Sequence, residues 1–184
     1  MNSLNRSGRA LIVIDMQRGV VEHAHVRSAV VANVAELVAG ARASGVPVLW
    51  VQHEDDDLPR GSLEWELVEE LVPREGEVRI DKRFGDAFED TALDDRLAEL
   101  GVGSLVVAGA QTDFCVRSTL HGAIARGYDA LLVSDAHTTN DAEWEGVRVS
   151  AEAIIAHTNM YWHWHRVPGR AGGTASAAEV IWRD

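Results

Sequence analysis

The sequence predicts an α/β protein, a doubly wound, three-layer sandwich with a parallel sheet in the middle. Short apolar runs alternate with stretches of helical periodicity, the spacing of strand–helix–strand units. The runs are apolar throughout, as strands covered on both faces must be. Right-handed crossovers then restrict the topology to doubly wound forms.

Each element can be justified in turn. Met1 to Arg9 is polar and reads as a tail before a single domain over residues 10–184. Ala10-Leu-Ile-Val-Ile14 is a fully buried strand. From Val26 to Ser44, Val30, Val34, Leu37 and Val38 share a helical face, and Gly45 closes the helix. Val46 to Gln52 is a second strand, with Pro47 tolerated near its start. Asp55 to Gly61 is an acidic loop, and a short helix is expected from Leu63 to Leu71. Val78-Arg-Ile80 is a third strand ending near Lys82. Thr91 to Leu100 is a helix, with Thr91 as N-cap and Asp94 three residues on. Leu105 to Ala108 is a fourth strand, and Gly109 and Ala110 suit a tight turn. Thr112 and Asp113 offer oxygens to cap the next helix, whose Val116, Leu120, Ala123 and Ile124 share a face before Gly127. Ala130 to Ser134 is a fifth strand, and Val147 to Trp164 carries a further helix. Pro168 to Gly173 reads as a loop, and Glu179 to Trp182 as the last strand.

Composition excludes several functions. The 184 residues carry a net charge of −12, which argues against a nucleic-acid partner or an anionic membrane surface. A single cysteine cannot form an internal disulfide, so a reducing compartment is expected. There is no signal-peptide pattern and no apolar stretch of membrane-spanning length, which points to the cytoplasm. No Gly-x-Gly-x-x-Gly follows the first strand, so a dinucleotide has no support, and no cofactor is expected.

In open parallel sheets, reactive groups gather at the carboxyl ends of the strands, where the winding direction reverses. Asp15 follows the first strand here, Lys82 the third and Cys115 the fourth. Cys115 falls in the first turn of a helix, where free N–H groups and the helix dipole favour a thiolate. The ordinary alternatives are a small buried hydrophobe for Cys115, a turn residue for Asp15 and a solvated tip for Lys82.

Three segments together resolve those alternatives: Val13-Ile-Asp-Met-Gln17, Lys82 with Phe84 and Phe88, and Val107-Ala-Gly-Ala-Gln-Thr-Asp-Phe-Cys-Val116. In this order they resemble the isochorismatase-like cysteine hydrolase superfamily, whose members include isochorismatases, nicotinamidases and amidohydrolases of carbamoyl compounds. The resemblance runs from Ala10 to Trp182. It implies a six-stranded parallel sheet in the order 3-2-1-4-5-6, a triad of Asp15, Lys82 and Cys115, and a homo-oligomer, dimer or tetramer. It also implies a cis peptide at Ala110–Gln111 that turns a backbone N–H toward the substrate. The N–H groups of Gln111 and Cys115 are the candidate oxyanion donors.

Chemically, Lys82 and the helix terminus would favour the anion of Cys115, and Asp15 could take the thiol proton and return it to a leaving group. The expected function is therefore hydrolysis of the C–N bond of a small amide or carbamoyl compound through an acyl-enzyme. The alternatives are vinyl ether hydrolysis of the isochorismatase type, a redox-sensing thiol, or a binding protein on the same fold. Gln17, Phe84 and Phe88 are candidate substrate contacts, with loop structure and core packing as their competing roles. His53 ends the second strand, where nicotinamidases place an Asp-x-His metal motif, but Gln52-His-Glu-Asp55 does not match it, and no metal is expected. His23 and His25, His163 and His165, and the helical His157, Asn159 and Trp162 read as surface or packing residues.

Overall fold

The computed structural model describes residues 6–182. In chain order the elements are β1 (Gly8–Ile14), α1 (Arg18–Val21), α2 (Arg27–Ala43), β2 (Val48–His53), β3 (Val78–Lys82), α3 (Leu93–Glu99) and β4 (Val102–Ala110). A wide five-residue π-type turn, Thr112–Val116, leads into α4 (Arg117–Arg126). There follow β5 (Asp129–Thr138), the β6 (Ala142–Trp144) and β7 (Val147–Val149) hairpin, α5 (Ala151–Trp164), β8 (Arg166–Val167) and β9 (Arg170–Ala175).

Six parallel strands lie in the order β3-β2-β1-β4-β5-β9, with β8 antiparallel to β9 at the edge. β1 sits at the centre, and the side chains of its last five residues are all buried. Its alternate residues serve opposite faces. Leu11 and Val13 pack with Val34, Leu37 and Val38 of α2, whereas Ala10, Ile12 and Ile14 pack with Leu93 and Leu97 of α3 and Leu120 and Ala123 of α4. Burying each such side chain stabilises the fold by about 1.5–3 kcal/mol. The expected sandwich and strand order are present.

The winding direction reverses between β1 and β4, where Ile14 is in register with Gly109. Gly109 has φ 127°, and a Cβ there would lie 2.0 Å from the Ile14 carbonyl oxygen. Only glycine allows the two strand ends to come so close. Beyond Ile14, Asp15 takes a left-handed φ of 47°, a conformation that aspartate tolerates better than most residues.

Five expectations require correction. No helix forms over Leu63–Leu71. Instead the Arg18 and Gly19 N–H groups donate to the Glu66 and Glu64 carbonyls and the Val68 N–H to that of Met16, so the segment is a succession of turns held against the β1–α1 connection. The sixth parallel strand is Arg170–Ala175, inside the stretch read as a loop, whereas Ala177–Glu179 is a single 3₁₀ turn and Val180 and Trp182 pack on the α2 side. The helix expected from Val147 starts at Ala151 with Ser150 as its N-cap, because residues 142–149 form a hairpin turned at Glu145 and Gly146. The N-cap of α3 is Ala92 rather than Thr91, although the Thr91 hydroxyl accepts from the Leu93 N–H. At the N-terminus, β1 already includes Gly8 and Arg9 of the expected tail, and residues 1–5 lie outside the described residues.

Candidate active site

Asp15, Lys82 and Cys115 meet at the carboxyl edge of the sheet. Asp15 leaves β1, and Lys82, the last residue of β3, reaches it past β2. Lys82 Nζ lies 2.7 Å from Asp15 Oδ2 and 3.1 Å from Cys115 Sγ. A third contact, 3.3 Å, goes to Nδ1 of His53, the register partner of Lys82 on β2. The other ring nitrogen of His53 is 2.9 Å from Asp55 Oδ2. The carboxylate can only accept, so His53 carries its proton on Nε2 and offers the Nδ1 lone pair to the ammonium.

Burial and charge set the resting protonation. Asp15 is 1% exposed and Lys82 2% exposed, whereas Cys115 is only partly buried and forms the open side of the cluster. Burial raises the pKa of Asp15 against the pull of Lys82. Burial works against the Lys82 ammonium too, but the Asp15 carboxylate and the Cys115 sulfur outweigh it and raise the lysine pKa. Cys115 is pushed up to about 12, first by burial and then by Asp15. The resting cysteine is therefore a thiol, which corrects the thiolate expected from the helix terminus and Lys82. Burial of the sulfur and the negative charge of Asp15 together outweigh the pull of Lys82.

The turn carrying Cys115 follows β4 through a cis peptide bond between Ala110 and Gln111, as the resemblance implied. The Gln111 carbonyl accepts from the N–H groups of Phe114 and Val116. Thr112 and Asp113 do not cap this turn with their side chains. Thr112 Oγ1 lies 2.8 Å from His137 Nδ1, and Asp113 Oδ1 accepts from the Thr139 hydroxyl, so the two residues tie the turn to β5 and to the residue just past its end.

The weaker candidates separate. Gln17 is fully buried, and its amide donates to the His53 and Trp65 carbonyls and accepts from the His53 N–H, so it clamps two chain segments. Phe84, two residues beyond Lys82, is 54% exposed. Phe88 is not brought to the triad. It lies in the core, stacked on Tyr128 at 5.6 Å with Arg126 over its ring. His165 stacks on Trp162, and Asn159 bonds to His137, a link the helical pattern did not announce. Sequence reasoning missed His53 and His137 as neighbours of the cluster. The only signal for the first was an aspartate two residues after a strand-end histidine. Among the described residues, no three His, Cys, Asp or Glu side chains are placed to hold a metal ion.

The isochorismatase domain family matches residues 9–152. The chain belongs to the isochorismatase family. Among curated relatives, the ureidoacrylate amidohydrolase RutB of Methylobacterium radiotolerans is 30% identical, over 73% of this chain and 63% of its own length. Streptothricin hydrolase of Streptomyces noursei is 34% identical, over 74% of this chain and 56% of its own length. This family member thus spans less than two thirds of either relative. A solved structure of a cysteine hydrolase from Pseudomonas syringae pv. phaseolicola superposes with a TM-score of 0.86 at 26% identity, covering 93% of this chain and 89% of that one. No helix among the described residues is long and apolar enough to cross a membrane.

Proposed function

We propose that this isochorismatase-family chain is a cofactor-independent cysteine hydrolase of a small amide or carbamoyl compound, acting through an acyl-enzyme on Cys115. The observation that carries this reading is the Lys82 ammonium, which donates at once to Asp15 and to the Cys115 sulfur. A thiol so placed has a carboxylate base within reach and a fixed positive charge beside it. Two relatives are also named for hydrolysis, one of them as an amidohydrolase.

In the proposed cycle Asp15 starts ionised and Cys115 starts as the thiol. The thiol proton moves to Asp15 as sulfur attacks the carbonyl carbon. Charge collects on the carbonyl oxygen, toward which the backbone N–H groups of Gln111 and Cys115 are the proposed donors. Collapse breaks the C–N bond, the proton on Asp15 passes to the departing nitrogen, and a thioester remains on Cys115. Asp15, ionised again, takes a proton from water as the hydroxide adds to the thioester. The second collapse returns that proton to sulfur and releases the acid. Lys82 stays charged throughout and fixes both partners. Phe84 is the proposed wall of the substrate pocket, and the working form is a homo-oligomer, dimer or tetramer, a point light scattering decides.

The test is a panel of small amides, carbamoyl compounds and vinyl ethers, scored for ammonia and for pyruvate. Ammonia release that is lost in Cys115→Ala, with an acyl mass on the wild-type chain, is the expected result. Pyruvate without ammonia would replace this reading with vinyl ether hydrolysis. Rapid reversible oxidation by peroxide with no turnover would replace it with a redox thiol.

A further inference from the structure

His137 is a buried titratable residue that the cycle above leaves unused. It is 1% exposed, stands near the end of β5 and is in register with Gly109 of β4. The chain of contacts through its ring has only one consistent direction. Asn159 Nδ2 is 2.9 Å from the Ser134 carbonyl, which can only accept, so the Asn159 oxygen must face the ring. That oxygen lies 3.0 Å from His137 Nε2, which therefore carries the proton. Burial lowers the pKa of His137, so the ring is neutral and Nδ1 is left as a bare acceptor. The Thr112 hydroxyl, 2.8 Å away, must then donate to it.

Thr112 is the first residue of the five-residue turn that contains Cys115. The Asp113–Thr139 bond provides a second tie between turn and strand, but Asp113 is partly exposed and Thr112 is fully buried. We propose that His137 is the positioning residue of the nucleophile turn, locked as the Nε2–H tautomer by Asn159 so that its Nδ1 lone pair holds Thr112 and sets the Cys115 sulfur against Lys82. The assignment rests on the cysteine hydrolase reading for its effect on turnover, but the tautomer and the sulfur position do not depend on it. Removing the acceptor leaves the Thr112 hydroxyl buried without a partner and frees the turn to shift, which lowers the rate of the chemical step more than it changes binding.

The test compares side chains that keep different halves of the ring. In His137→Asn the amide oxygen can take the place of Nδ1, whereas in His137→Gln the side chain reaches toward Asn159 instead. Thr112→Val removes the hydroxyl at nearly constant shape. Thr112→Val and His137→Gln are expected to lose roughly 10- to 100-fold in kcat with KM within about twofold, and His137→Asn and Thr112→Ser to recover most of the rate. Nitrogen-15 NMR of the wild-type ring is expected to show the proton on Nε2. A proton on Nδ1, or wild-type kcat in Thr112→Val, overturns the proposal. If the wild-type chain turns over no amide or carbamoyl compound, the functional reading fails by itself, and alkylation of Cys115 by iodoacetamide decides. A rate in Thr112→Val changed by threefold or more supports the positioning role, and an unchanged rate overturns it.

Discussion

His53 and Lys82 are register partners on β2 and β3, and their side chains meet, Lys82 Nζ lying 3.3 Å from His53 Nδ1. An ammonium has three hydrogens, and here they face three acceptors: Asp15, Cys115 and His53. The histidine therefore fixes the rotation of the lysine head group, and Asp55 fixes the histidine. Replacing His53 by Leu removes one hydrogen bond to a charged group, worth about 1.5–3 kcal/mol. We expect kcat to fall roughly 10- to 100-fold with KM little changed, as steady-state kinetics would show.

A second prediction concerns the charge on sulfur. Asp15 raises the pKa of Cys115 and Lys82 lowers it. In Asp15→Asn burial still raises the thiol pKa, but the carboxylate's contribution is gone and the cation's remains, so the thiol pKa falls. Alkylation of Cys115 at pH 8 should accelerate about 10-fold over wild type, whose thiol holds its proton up to about pH 12. Hydrolysis by the same variant should drop by about 10²–10⁴, because no group returns a proton to the leaving nitrogen. Slower alkylation in the variant would contradict the assignment of the carboxylate as the group that keeps the thiol protonated.

Glu77, just ahead of β3, anchors the strand that delivers Lys82. Its carboxylate accepts from both ends of the Arg42 guanidinium, from the Trp50 indole and from the Arg74 N–H. Burial alone would raise its pKa, but these donors bring it from 4.5 down to about 2. The folded pKa is depressed, so the stabilisation is full above about pH 4.5 and is lost as pH falls through about 2. Allowing for solvent screening, it is on the order of 2 kcal/mol. Glu77→Gln should lower Tm at pH 7 by roughly 4–8 °C and flatten the acid limb of the stability curve. Calorimetry from pH 7 to pH 2 checks both.

Gln17, Phe88 and Phe84 can be told apart by stability against KM. Gln17→Leu takes the amide away from the His53 N–H and carbonyl, at a cost of about 2 kcal/mol or more, while the Trp65 carbonyl keeps the Gln52 amide. Phe88→Ala empties a core site, at about 3–5 kcal/mol. Phe84→Ala, at an exposed position, should change stability by less than about 0.5 kcal/mol and instead raise KM. Denaturant titrations alongside kinetics separate the three.

The meeting of Asp15, Lys82 and Cys115 was legible from two sources: strand ends, where doubly wound sheets gather polar groups, drew attention to Asp15 and Cys115, and the family resemblance added Lys82, which ends the mixed strand Val78-Arg-Ile-Asp-Lys82. Elements whose backbone partners come from distant segments were not legible. Residues 63–71 carry leucines at helical spacing, yet their carbonyls serve the N–H groups of Arg18 and Gly19. The last parallel strand is Arg-Ala-Gly-Gly-Thr-Ala, and its glycines match a close approach of α5 rather than a strand pattern: a Cβ on Gly172 would lie 2.4 Å from the Trp162 carbonyl oxygen. The resting charge of Cys115 was misjudged for a related reason, since it depends first on burial and then on the approach of Asp15, neither of which can be read from the residues beside Cys115 in sequence.

The contact between Gly109 and Ile14 has a wider consequence. Because main chain touches main chain there, the spacing between the acid-bearing and thiol-bearing strand ends is a property of the scaffold and leaves side chains little freedom to adjust it. The hairpin at Glu145–Gly146 takes no part in that contact, whereas Asp55 of the Asp55–Gly61 loop reaches His53 and through it Lys82. The distance between carboxylate and sulfur is thus set by main chain, whereas the lysine head group between them is set by a relay of side chains that begins in a loop.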